Sequence, residues 1–207
     1  MRIRTLAVLA TLLFVPTLVA QERAAAKKVP TFAEAVEQAK KAAEAEKIGA
    51  AITALQAAIK DLQKKQRVAV LAALPKPDGW QVKDQAPDEQ ANELAAGFLG
   101  IGNTVASDYT KGEQSMRVEV NANSPMFQML AMLFSNPAMI EADGGEVVKY
   151  GAHKAILKKN GDKGQELQIL MHDMHLVKIT TQGVGADELL KMFDQAFVDR
   201  LEKPLGK

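Results

Sequence analysis

Cysteine is absent from this 207-residue chain. That excludes disulfides, thiol catalysis and thiolate metal sites. It also excludes a lipid-anchored bacterial form, which needs a cysteine at the cleavage site. Neither sign of charge is in excess, with 26 basic and 25 acidic residues. So balanced a chain has no global electrostatic claim on nucleic acid or an anionic membrane. A transmembrane-length apolar run is missing too. The longest, Leu6 to Val15, is interrupted by Thr11 and closed by Pro16 and Thr17, too short to span a bilayer comfortably.

The usual marks of catalysis are also lacking. No nucleophile-elbow pattern occurs. Gly97, Gly100 and Gly102 precede a strand at Val105, the wrong context for a phosphate loop. Gly183-Val184-Gly185 does precede a helix, but Asp187 and Glu188 in its first turn would repel an anion. Asp108, Glu119, Asp143 and Asp173 form no spacing that demands acid/base chemistry. The expectation is a protein that is not an enzyme and carries no cofactor.

What is present begins with an address. Arg2 and Arg4, the apolar run and the exit Leu18-Val19-Ala20 have the layout of a secretory signal peptide. Cleavage is expected near Gln21, giving a soluble periplasmic or secreted protein; an uncleaved signal anchor is the rival reading. Removing Arg2 and Arg4 leaves 24 basic against 25 acidic residues, a net charge near −1. The expected organisation is a signal peptide over 1–20, a flexible lead over 21–30, a helical hairpin over 31–74 and an α+β domain over 78–203.

Thr31 with Glu34 forms a capping-box pattern ahead of Phe32, Val36, Ala39 and Ala43. The helix should loosen near Glu46 to Gly49. A second helix then carries Ile48, Ile52, Leu55, Ile59 and Leu62 at a strict 4-3-4-3 spacing, one narrow apolar stripe. Leu74-Pro75-Lys76-Pro77 ends it. Lys47-Ile48-Gly49-Ala50-Ala51-Ile52, with Leu55, Ala58 and Ile59, resembles the turn and second helix of a tetratricopeptide repeat. Ile48 stands at that family's aromatic position, Ala51 and Ala58 at its small positions, and Leu55 at its large one. Glu46 replaces the usual turn glycine, no proline closes the unit, and a solenoid needs about three repeats. The plain alternative is an Ala-rich helical hairpin.

After Pro77 the pattern becomes β-β-β-α-β-β-β-β-α. A strand-like run is expected to start at Gly79-Trp80-Gln81-Val82, and strands at Thr104–Thr110, Ser115–Ala122, Val147–Tyr150, Lys154–Lys159, Glu166–Met171 and His175–Thr181. Asn92–Phe98 reads as a short helix or a loop. Ser124-Pro125 should open one helix, with Ser124 as N-cap, and Ser135-Asn136-Pro137 should break it. Ala186–Leu201 should form the last, with Leu189, Leu190, Phe193, Phe197 and Leu201 facing the core. This is an α+β layer fold, a mostly antiparallel sheet with segregated helices. Gly79-Trp80, Tyr109-Thr110, Ser124-Pro125-Met126, Ser135-Asn136-Pro137 and Gly144-Gly145, in this order, make the part from Pro77 onward similar to a group of small exported bacterial proteins of unknown function. That resemblance implies location and fold only.

Three surfaces are candidate sites. The stripe Ile48, Ile52, Leu55, Ile59, together with Trp80, is the candidate contact for a protein partner or a second copy. Within the hairpin the stripe faces mainly Phe32, Val36 and alanines, which bury little area. The sheet domain, a second copy or a foreign chain must cover it, and the sheet domain is the expected cover. Trp80 reads first as a core anchor where hairpin and sheet meet. Met126, Met129 and Met132 share one helix face and are expected in the core. His153, His172 and His175 are the only histidines. A two-residue Asp173-Met174 turn would oppose His172 and His175 as a metal pincer. A three-residue loop instead pairs Met171 with His175, Ile169 with Val177 and Leu167 with Ile179, and keeps the apolar faces aligned. It should win, so the pair is not expected to bind copper or zinc tighter than about micromolar. The functional expectation is a non-catalytic binding or assembly protein of the bacterial cell envelope. The alternatives are a carrier or sensor of a small apolar ligand under the sheet, and metal handling through the His172/His175 hairpin.

Overall fold

The computed structural model describes residues 29–86 and 103–206. The expected leader, most of the lead, the Asn92–Phe98 segment and the glycines at 97, 100 and 102 lie outside the described residues. Helix α1 (Phe32–Glu44) starts on the expected box: the Thr31 hydroxyl accepts from Glu34 N, and the Glu34 carboxylate accepts from Thr31 N at 2.8 Å. Glu46, at φ 58°, turns the chain into α2 (Ile48–Ala73). Phe32 N donates to the Asp61 carboxylate at 3.0 Å, which sets the two helices antiparallel. Ala35 and Ala39 of α1 and Ala51, Ala54 and Ala58 of α2 are the buried residues of this pairing.

Among the described residues, seven strands form a single antiparallel sheet: β1 (Gln81–Asp84), β2 (Asn103–Lys111), β3 (Gln114–Ala122), β4 (Gly145–Tyr150), β5 (His153–Asn160), β6 (Gly164–Met171) and β7 (His175–Gln182). Their spatial order is β1-β2-β3-β7-β6-β5-β4. Between β3 and β4 lie α3 (Phe127–Leu133) and α4 (Pro137–Ala142); after β7 come α5 (Ala186–Met192) and α6 (Gln195–Leu205). The fold class is α+β, as the alternation of the strands implied.

One face of the sheet carries the main core. Val105, Tyr109, Val118, Leu167, Ile169 and Ile179 meet Leu189, Phe193, Phe197 and Leu201 of the last two helices. The last turn of α2 joins them through Val70, Ala73 and Leu74. Polar contacts fasten the same stretch. Arg67 donates to the carbonyls of Thr104 and Gln85, Asn103 Nδ2 donates to Gln63 O at 3.0 Å, and Tyr109 OH donates to Pro75 O at 3.0 Å. Helix α2 thus has two environments: its first half stands with α1, and its end belongs to the sheet's core. On the other face, α3 and α4 cover a smaller apolar cluster, with Phe127, Phe134 and Ile140 over Ile156, Leu170 and Leu176. Beyond them it bears a charge ladder. Arg117 bridges Asp108 and Glu119, and Glu166 sits between Lys178 at 3.1 Å and Lys158 at 3.6 Å.

Three local expectations are corrected. The expected single helix at 186–201 is two, because the Asp194 carboxylate accepts from Phe197 N at 3.0 Å and starts α6 afresh. Ser124 does not cap α3. Its own N–H donates to Met174 O at 3.0 Å, and Pro125-Met126 form a turn before the helix begins at Phe127. The methionines at 126, 129 and 132 are not core: they are 43%, 75% and 77% exposed, because Phe127 and Phe134 take the inward face of that segment.

Candidate functional site

The stripe on α2 is uncovered. Ile48, Ile52, Leu55, Ile59 and Leu62 are 60%, 52%, 48%, 53% and 46% exposed. This overturns the expectation that the sheet domain covers them. The reason lies in the hairpin's own packing. Small alanines let α1 settle on the face bearing Ala51, Ala54 and Ala58, which leaves the neighbouring face of large residues outward. Only the far end of α2, from about Gln63, reaches the sheet. Each stripe residue has roughly 1 kcal/mol of burial still to gain.

The spacing of the stripe is that of a coiled-coil seam. With Ile52 and Ile59 at a, the d positions are Ile48, Leu55 and Leu62. β-Branched residues at a with leucine at d favour two-stranded pairing. The flanking e positions are Gly49, Gln56 and Gln63, all uncharged, so nothing there repels an identical seam. The g positions Ala51 and Ala58 are buried. The seam runs 15 residues, roughly 21 Å of helix, with Leu55 at its midpoint.

Trp80 lies apart from the stripe. It is half-buried against the main core, and Lys111 Nζ stands 5.8 Å from its ring centre. It anchors the entry to β1, the first of its two sequence readings. The space under the sheet is filled by fully buried side chains, among them Tyr109, Phe193, Phe197 and Met171. Among the described residues, open surface hollows lie around Gly161–Gln165 and Gly183–Gly185 and around Asp108–Thr110 and Ser115–Arg117.

The histidines meet at one end of the sheet. The β6–β7 register is Met171↔His175, Ile169↔Val177, Leu167↔Ile179, the three-residue loop the apolar faces required. His172 sits in that loop and is exposed; His175 begins β7 and is buried. His175 Nδ1 accepts from Asn123 N at 3.0 Å, and its ring also bonds the Leu205 backbone. Burial, helped by neighbouring His172, holds its imidazole below the usual histidine range despite that second bond. His175 therefore fastens β7 to the β3 end and to α6. His153 opens β5, is buried, and lies 3.1 Å from Glu202 of α6 through Nε2. Its ring meets that of His172 edge to face, with centres 5.1 Å apart. Sequence reasoning missed Glu202, because a lone acid on a helix face gives no sign of which strand end it will meet.

No helix among the described residues is long and apolar enough to cross a membrane. No family model and no curated protein matches the chain. Among solved structures, a crystal structure of the protein CV1439 from Chromobacterium violaceum is 10% identical and covers 70% of this chain and 90% of its own, at a TM-score of 0.23.

Proposed function

We propose that this is an exported, non-catalytic binding or assembly protein of the bacterial cell envelope, and that the seam on α2 is its contact surface. The observation that carries the reading is the half-exposed row Ile48, Ile52, Leu55, Ile59 and Leu62 on a helix whose far end is rooted in the core. Soluble chains seldom leave a contiguous apolar row to water without a partner for it. The occupant is a second copy of the same seam, paired about a two-fold axis. The uncharged flanks and the a/d choice of isoleucine and leucine support self-pairing over a charged foreign helix. An interface this short belongs to the weak, concentration-dependent class.

Position 55 tests this directly. As the central d position, it stands opposite its own copy when the two seams pair parallel and in register, the arrangement proposed here. The chain has no other cysteine to confuse the result. The Leu55→Cys chain, expressed with its leader in a bacterial host, is expected in the soluble envelope fraction as a disulfide-linked pair. An exposed control, Lys60→Cys, should give far less. Equal linkage at both positions, or none at 55 in an oxidised fraction, contradicts self-pairing; retention in the cytoplasm contradicts export.

A further inference from the structure

We propose that the corner formed by His153, His172 and Glu202 is a binding site for one divalent transition-metal ion of the zinc and copper class. One ligand atom from each residue lies within 4.8 Å of the other two. Two imidazoles and a carboxylate are the donor set that suits such ions, at metal distances of about 2.0–2.2 Å. Donors around one tetrahedral ion stand roughly 3.3 Å apart. His153 Nε2 and Glu202 Oε1, at 3.1 Å, already have that separation. Only His172 has to swing inward, and it is the exposed member at a loop tip.

Three features hold the corner together. His153 is buried at the first position of β5, so its ring cannot stray. His172 and Asp173 are held in the left-handed backbone region at φ 52° and 54°, where non-glycine residues are uncommon and a tight tip results. Glu202 lies in the last turns of α6, whose C-terminal end is the negative end of the helix dipole and favours a cation. His175 is not a ligand, since Asn123 N and the Leu205 backbone occupy its ring. The set thus differs from a His172/His175 pincer, and three protein ligands leave a fourth position to water.

Calorimetric titration of the chain beginning at Gln21 with Zn2+, and separately Cu2+, tests the assignment. The expected result is one ion per chain with a dissociation constant below about 1 µM. His172→Asn keeps a side chain that tolerates the left-handed tip and removes the ligand; it should weaken binding at least tenfold. Glu202→Gln should do the same, and a melting curve of each variant without metal should match that of the parent. Binding weaker than about 1 µM for both ions overturns the assignment, and so does equal binding by parent and His172→Asn. If Glu202→Gln melts early, His172→Asn carries the comparison, since its exposed position leaves the core intact.

Discussion

At the scale of single residues, burial and partners decide what a side chain does more than its type. Glu166 is the clearest case on the open face of the sheet. Burial works to raise its pKa, but hydrogen bonds from Gln168 at 2.6 Å and Lys178, with the charge of Lys158, outweigh it and hold the carboxyl below its ordinary value. A carboxyl depressed in the folded state adds stability above its unfolded pKa, and that contribution is lost as pH falls through the folded value. Glu166→Gln should therefore destabilise by about 0.5–1 kcal/mol at pH 7, and the gap to the parent should narrow as pH falls below the ordinary carboxylate pKa of about 4.3. Urea unfolding at pH 7 and pH 3.5 checks this; a constant gap would assign the loss to packing. The histidines show how far sequence reaches at this scale. The period-two faces of β6 and β7 were enough to place His172 in the loop and His175 at the strand end. They could not place Glu202, because a contact 49 residues away from His153 depends on how α6 docks.

At the scale of elements, one helix carries two roles, and substitutions along it should separate them. Val70→Ala removes a fully buried side chain from the main core and should cost about 1–2.5 kcal/mol. Ile52→Ala, on the same helix but half exposed, should cost under about 0.5 kcal/mol at dilution. Equal losses in denaturant unfolding would mean that the stripe is covered within the monomer. Element boundaries were legible where a local signal marked them. The Thr31 and Glu34 box, the Leu74-Pro75 stop and the strand alternation each act through neighbours in sequence. Where packing overrides such a signal, the reading fails. The apolar row Leu189, Phe193, Phe197 and Leu201 continues across Asp194, so its period hides the break between α5 and α6. Met126, Met129 and Met132 keep a helical spacing, yet the two phenylalanines beside them take the inward face.

At the scale of the whole molecule, the main core face of the sheet is covered by α5, α6 and the end of α2, while the apolar stripe on the first half of α2 is left open. The sequence pattern showed that alanines could not cover the stripe. It could not show that the sheet domain would leave it open, since that depends on which part of α2 reaches the sheet. The account's central claim is that this seam pairs with a second copy. Sedimentation equilibrium of the chain beginning at Gln21, compared with its Ile52→Lys/Ile59→Lys variant, tests it most directly. The prediction is a reversible dimer in the parent that disappears in the variant, with monomer stability changed by no more than about 0.5 kcal/mol per site. A parent that stays monomeric up to about 1 mM, where even −4 kcal/mol of association would register, or a variant that dimerises as well as the parent, would contradict it.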